Sequence, residues 1–382
     1  MIVVKETYMY LTLYKQTQKQ PNNTNYMSIM HNPVQYTPIE YYKTTVYIEK
    51  PTPLKNLTTI HKLKIQEFEQ HIERAWTKLK EFEHNYTEQY YEFKIPKRSG
   101  GLRTINAPNE QFKQALSQVK DIFEQDLRCL AHDSAYAYTK NRSTIDAITV
   151  HQKNDSNWYL KIDLTDFFPS CTPSLIYTLL NQLYPFYYFS ENAKNTLRKI
   201  IKVCCLNNGL PQGTPMSPLL TNLIMIPYDY TINNYLKRGT GEHYVYTRYA
   251  DDILISSKSN FDWKTIEHYI ENILVPFKIK RSKTRYGNKA GSNWNLGLML
   301  NKDNNITLGS KRKKEINAML NNFINDFINK GIKWSKEDVQ HLQGCLSYLQ
   351  QIEPNYYNYI IDKYQRKYKI ANYRVLIKTI LK

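Results

Sequence analysis

The stretch Tyr246–Ser257, YTRYADDILISS, decides how this chain is read. Tyr244 to Tyr249 (YVYTRY) and Ile253 to Ser256 (ILIS) have strand character, and Asp251 and Asp252 sit between them. The pattern predicts a strand, a tight turn and a second strand, with two like charges at the tip. An isolated Asp-Asp pair would be a solvated turn. Here the flanks read as core, and a third carboxylate lies upstream. In WYLKIDLTDFFPS, residues 158–170, a strand is expected to end near Asp163, with Leu160 and Ile162 facing the core. Period-two alternation then sets Tyr159, Lys161 and Asp163 on the other face. If the strands are neighbours in one sheet, three carboxylates converge and repel, which raises their pKa values. Hard divalent cations relieve that repulsion, and an all-oxygen donor set suits Mg²⁺. Two such ions about 4 Å apart can clamp the attacking and leaving oxygens of a phosphoryl transfer.

The rest of the chain sets the context. It has 382 residues and 41% hydrophobic residues, enough for two or three subdomains with shared cores. The formal net charge of +18 predicts a polyanionic partner, nucleic acid before membrane. The 33 tyrosines suit base stacking beside Lys and Arg, although AT-rich coding also favours Tyr, Asn, Lys and Ile. Cys129, Cys171, Cys204, Cys205 and Cys345 form no C-x-x-C pair, which argues against a disulfide framework or zinc site and for a reducing, cytoplasmic setting. No signal peptide and no membrane span are expected.

Outward from the doublet, YMYLTLY alternates like a strand, and the polar, Pro-bearing residues after it read as loop. A charged helix is expected from about Leu63 to Tyr91. YYEFKIPKRSGGLRTINAPN reads as a hairpin with Lys97, Arg98 and Arg103 near its tip. Helices are expected in EQFKQALSQVKDIFEQDL, PSLIYTLLNQLY and SENAKNTLRKIIKVCCL. A Gly- and Pro-rich loop, NNGLPQGTP, then precedes another helix. A helix in WKTIEHYIENIL, a hairpin in NWNLGLMLNKDNNITLGS and two amphipathic helices before a basic tail complete an α+β chain. Gly331 is expected to stop the first of those two helices.

The order of these segments resembles that of reverse transcriptases. RYADDILIS is similar to their catalytic Tyr-x-Asp-Asp box, KIDLTDFFPS to their first carboxylate motif and GLPQGTPMSPLLTNL to their nucleotide-pocket motif. KIPKRSGGLRTINAPN and SAYAYTKNRSTIDAITVH resemble their fingers motifs, RSKTRYG their lysine motif and NWNLGLMLN their primer-grip hairpin. The likeness runs over roughly residues 90–350, and the ordered set is far more specific than any one motif. Among bacterial members, retron enzymes carry Asn-Ala-x-x-His where this chain has NAKNT, with Thr196 in the His place. They also carry Val-Thr-Gly where it has WNLGLML. The resemblance therefore spans retron-like and other defence-associated reverse transcriptases.

The resemblance implies roles for particular residues. Asp163 and Asp251 would ligate two Mg²⁺ ions (or Mn²⁺), with Asp252 assisting and the Leu164 carbonyl as a backbone ligand. Phe168 would be the aromatic gate under the sugar C2′, with Phe167 in the core. Gln212 and Gly213 would form the dNTP pocket, and Lys97 and Arg103 would hold the triphosphate. Lys283 would protonate the leaving pyrophosphate. Tyr249, Leu296 and Gly297 would contact primer and template. The plain readings are a solvated hairpin tip for Lys97 and a generic basic patch for Lys283.

The implied architecture is a right-hand polymerase. Residues 1–60 are an N-terminal extension, 61–157 fingers, 158–300 palm with a fingers-side helical insertion near 172–208, and 301–382 primer-grip end and helical thumb. The implied activity is RNA-directed DNA polymerisation in antiviral defence, with an RNA template or non-coding RNA, a DNA primer or product, dNTPs, and a partner protein or second copy. The alternatives are template-independent or protein-primed DNA synthesis, an RNA-dependent RNA polymerase, and a non-catalytic RNA-binding scaffold. Phe168 argues against the RNA polymerase, and the intact carboxylates argue against the scaffold.

Overall fold

The computed structural model describes residues 36–41, 44–49, 58–96, 100–127, 131–238, 243–289 and 297–381. The YMYLTLY stretch, Lys97, Arg98, Cys129 and Leu296 lie outside the described residues. In chain order, an antiparallel hairpin of β1 (Tyr36–Tyr41) and β2 (Thr44–Glu49) comes first. The sequence reading missed it, although Thr44, Thr45, Val46, Tyr47 and Ile48 are β-branched or aromatic. Helix α1 (Thr59–Leu79) is N-capped by Thr58 and stops well before Tyr91. Two short 3₁₀ turns, Lys80–Phe82 and Tyr86–Gln89, replace the expected continuation. His84, Asn85, Tyr86 and Thr87 are weak helix formers, which accounts for the break.

The hairpin of β3 (Tyr90–Pro96) and β4 (Leu102–Pro108) follows, then α2 (Glu110–Leu127) and α3 (Thr144–Lys153). Strand β5 (Trp158–Thr165) leads into the single turn α4 (Phe167–Ser170), α5 (Pro173–Leu180), α6 (Glu191–Cys204), α7 (Met216–Ile224) and α8 (Ile226–Arg238). The doublet hairpin is β6 (Val245–Tyr249) and β7 (Asp252–Ser257). Then come α9 (Trp263–Ile273), β8 (Lys278–Ile279), β9 (Arg285–Asn288) and the small hairpin β10 (Met299–Leu300) and β11 (Ile306–Thr307). Four helices close the chain: α10 (Gly309–Asn329), α11 (Lys336–Ile352), α12 (Pro354–Tyr368) and α13 (Tyr373–Leu381). Gly331, with φ 64°, ends α10 where expected, and Ile332 N–H donates back to the Asp326 carbonyl at 2.9 Å.

The chain forms two compact units. The first holds residues 1–141, 163–239 and 264–282; the second holds 142–162, 240–263 and 283–382. Strand β5 belongs to the second unit up to Ile162 and to the first from Asp163. In the first unit, α1, α2 and α6 pack together around Ile65, Ile72, Leu79, Phe112, Leu116, Leu197 and Ile201, all buried. The end of β5 pairs there with β8, Leu164 opposite Ile279. In the second unit the strand order is β6-β7-β5, and β9 lies on the far edge of β5. One apolar core joins this sheet to the closing helices through Ile148, Tyr159, Leu254, Leu300, Leu320 and Phe323.

Alternation along β5 does not separate a wet face from a dry one. Leu160 and Ile162 are fully buried as expected, but Tyr159 and Asp163, on the opposite face, are buried as well. Strands covered on both sides lose the alternating signal.

Candidate active site

The doublet hairpin is built around one strained residue. Tyr249 pairs with Asp252, so Ala250 and Asp251 form a two-residue turn. Ala250 has φ 57°, a left-handed conformation that costs a non-glycine residue roughly 1–2 kcal/mol. Arg248 holds the turn in place. It is 1% exposed, and its guanidinium donates to the Ala250 carbonyl at 3.2 Å. Tyr249, Asp251 and Asp252 are half-buried.

Behind the hairpin sits His151, fully buried on α3. Its Nδ1 lies 2.5 Å from Ser256 Oγ and its Nε2 2.8 Å from Thr247 Oγ1, so one ring bridges β6 and β7. Ser256 Oγ in turn donates to Ser156 Oγ at 2.8 Å. Burial pushes the imidazole down to about 3, so it stays neutral and can donate from one nitrogen and accept at the other.

Asp252 makes an ion pair that the sequence reading did not foresee: Lys161 Nζ, on β5, lies 3.1 Å from its Oδ1. Asp163 lies two residues further along the same strand and is 8% exposed. Its carbonyl accepts from Lys280 N–H at 2.7 Å. Successive carbonyls of a strand point to opposite sides, which directs that of Leu164 away from β8. Among the described residues, no group of three or more His, Cys, Asp or Glu side chains is gathered as a ready metal cage.

The nucleotide-pocket motif lies in the first unit. The chain turns at Asn207 and Asn208, both with positive φ, so that Leu206 and Gly209 exchange backbone hydrogen bonds of 2.8 and 3.0 Å. Gly209 approaches α4 so closely that a Cβ would stand 2.3 Å from the Pro169 carbonyl oxygen. Leu210 N–H donates to the Phe168 carbonyl at 3.0 Å, and Asn106 N–H on β4 donates to the Gln212 carbonyl at 3.2 Å. Gly213 follows with φ 114°, where a Cβ would meet Ile105 Cγ2 at 3.0 Å. Ser217 closes the loop by donating to the Pro211 carbonyl at 2.8 Å. One short loop thus lies against both α4 and β4, and brings Phe168, Gln212, Gly213 and the strand bearing Arg103 into one neighbourhood.

Phe167 is buried and Phe168 half-buried. Tyr138 packs edge-on against Phe168, with ring centroids 6.4 Å apart. Tyr138 lies in a quoted fingers motif, but nothing in the sequence signalled this contact. Arg103 is exposed on β4, opposite Ile95 on β3. Paired residues of a hairpin share a face, so Arg103 stands with an apolar stripe of Tyr91, Phe93 and Ile95, exposed by 58%, 42% and 38%. The sequence reading gave that stripe no role.

Of the remaining predicted residues, Lys283 is exposed in the 3₁₀ turn Arg281–Lys283, directly before β9. Gly297 and the buried Leu298 lead into β10. Glu353 anchors that small hairpin. Its carboxylate accepts from Thr307 Oγ1 at 2.8 Å and Leu308 N–H at 2.9 Å, and from Lys313 Nζ at 2.9 Å. Thr196, the family's His position, donates to Glu73 on α1 at 2.7 Å. The four described cysteines are free thiols, and burial pushes those of Cys171, Cys204 and Cys205 up. No helix among the described residues is long and apolar enough to cross a membrane.

The chain is a nucleotide polymerase by its family. The family model described as reverse transcriptase (RNA-dependent DNA polymerase) matches residues 95–299. The chain is 30% identical to the retron Ec83 reverse transcriptase of Escherichia coli over 293 residues, which cover 73% of this chain and 86% of that protein. It is also 30% identical to the retron Ec73 reverse transcriptase of the same organism, over 72% of this chain and 87% of the relative. Against the structure of apo telomerase from Candida tropicalis the TM-score is 0.45 at 12% identity, over 70% of this chain and 58% of that one. The chain belongs to the reverse transcriptase family and is retron-like. It is an RNA-directed DNA polymerase built of helices and small antiparallel sheets.

Proposed function

We propose that this polymerase extends a primer along an RNA template by two-metal nucleotidyl transfer, with Asp163 and Asp251 as the indispensable carboxylates. The observation that carries this reading is the ordered pair of carboxylate motifs, KIDLTDFF at 161–168 and RYADDILIS at 248–256, inside the matched family region 95–299. The donor chemistry fits a hard divalent cation such as Mg²⁺: two carboxylates and the Leu164 carbonyl, without thiol or imidazole. Bound there, a cation pair would offset charge developing on the attacking and leaving oxygens. The strained Ala250 turn, gripped by Arg248, fixes where the Asp251 carboxylate is presented.

The pocket loop has the matching task. Gln212 and Gly213 border the incoming dNTP, and the Gly213 backbone allows close approach. Arg103, with Lys97, holds phosphate oxygens by charge-assisted hydrogen bonds. Phe168, braced by Tyr138, lies under C2′ of the sugar and disfavours a ribose hydroxyl. Lys283 serves as the proton donor to pyrophosphate. The exposed Tyr91, Phe93 and Ile95 offer apolar and π faces on which unpaired template bases stack. In domain terms, residues 61–157 act as fingers, 158–300 as palm and 301–382 as primer-grip end and thumb. Tyr249, Leu296 and Gly297 lie on the primer side. From the motif resemblance to defence-associated reverse transcriptases we take an associated non-coding RNA as template and antiviral defence as the setting.

Extension of a labelled primer on an RNA template tests the polymerase reading. Wild type is expected to give full-length DNA, and Asp163→Ala and Asp251→Ala none. Equal product from wild type and both variants would overturn it. Loss of phage resistance in cells carrying Asp251→Ala, with wild-type cells resistant, tests the defence setting.

A further inference from the structure

The doublet contains two aspartates of different standing. Asp252 Oδ1 lies 3.1 Å from Lys161 Nζ, an ion pair without hydrogen-bond alignment, and both side chains are largely out of water, at 14% and 18% exposure. Lys161 sits opposite Arg285 in the β5–β9 pairing, so its cross-strand neighbour is a like charge. Like charges directly opposite destabilise a sheet. A half-buried ammonium in that position needs a carboxylate close by, and Asp252 supplies it. Taking Asp252 away to ligate a cation would leave the half-buried Lys161 without that partner, at a cost.

We propose that Lys161 is a positioning residue that reserves Asp252 for docking the turn on β5 and keeps it out of metal coordination. The proposal rests on the reading of Asp163 and Asp251 as the metal-ligating carboxylates. It makes a sharper claim than the motif does, because the motif offers both aspartates as ligands. Lys161 acts through Asp252: with the ammonium removed, the Asp252 carboxylate is released toward the ions and the turn loses its tie.

Binding of Mn²⁺ to the purified full chain, followed by electron paramagnetic resonance, separates the two aspartates without relying on turnover. Asp251→Asn is expected to weaken Mn²⁺ binding about tenfold or more, while Asp252→Asn stays within about threefold of wild type. Lys161→Met is expected to tighten binding by about tenfold, since a carboxylate is freed, and Lys161→Arg to leave it unchanged. The double variant Lys161→Met/Asp252→Asn should return to wild-type affinity, because the freed carboxylate is gone. Near-ultraviolet circular dichroism checks that each variant is folded. Should Lys161→Met fail to fold, the isosteric Asp252→Asn carries the test alone. Loss of Mn²⁺ in Asp252→Asn as severe as in Asp251→Asn would overturn the proposal, as would unchanged affinity in a folded Lys161→Met. Unchanged affinity in Asp251→Asn would instead overturn the metal reading on which it rests.

Discussion

The pocket loop and the doublet hairpin are held by opposite means. The loop of residues 205–217 is fixed mostly by backbone: paired turn hydrogen bonds, two glycines without room for a side chain, and bonds to the Phe168 and Asn106 main chain. The hairpin is fixed mostly by polar side chains: its own Arg248 and Ser256, and His151, Ser156 and Lys161 from distant parts of the chain. A loop of the first kind is sensitive to volume and φ. A hairpin of the second kind is sensitive to charge and to pH.

That contrast can be broken at four points. Asp163→Asn should lower single-nucleotide incorporation by about a thousandfold with little change in KM for dNTP, read by rapid-quench primer extension. An effect on KM alone would move Asp163 to the pocket side. Gly213→Ala should lower kcat/KM for dNTP by about tenfold to a hundredfold, because a positive φ and the Ile105 contact both resist a methyl group. Unimpaired kcat/KM would show the loop to be slack.

The third point is pH. His151 is held near 3, below its ordinary 6.5, so between those values the unfolded chain binds more protons than the folded one. Stability is full above about pH 6.5 and falls as pH drops toward 3, with about 2 kcal/mol lost by pH 5. Urea unfolding across that range measures it. His151→Leu should flatten this dependence while costing about 1–3 kcal/mol at neutral pH through the hydrogen bonds lost by the Thr247 and Ser256 hydroxyls. The pocket has no such group, so Gly213→Ala should leave the pH profile unchanged. The smallest expected effect is at Phe168. Phe168→Val should cut discrimination between dNTP and NTP by about tenfold, a step on the scale of one lost apolar contact. Undiminished discrimination would count against the gate.

The same contrast explains what could be read in the sequence. The loop was legible because Gly, Pro and Asn punctuate it and each acts locally. The hairpin was legible as two strands and a turn, and its carboxylates from the ordered motifs. The supports were not. The His151–Ser256 contact joins residues 105 positions apart, and no local pattern encodes it. Arg248 lies inside the quoted stretch, yet an arginine beside aspartates reads as a surface residue until its burial is known. Lys161 was set on the face of Asp163, but its Asp252 partner depends on strand order. Two-sided burial also hid the character of β5, because Tyr159 and Asp163 are covered on the face that alternation assigns outward.

The central claim is RNA-templated DNA synthesis that depends on the aspartate at the hairpin tip. Its most direct measurement is extension of a labelled primer on a defined RNA template with four dNTPs and Mg²⁺, comparing wild type with Asp251→Asn of matched thermal stability. The account predicts template-complementary DNA from wild type and no detectable extension from the variant. Equal extension by both, or product from wild type that ignores the template sequence, would contradict it.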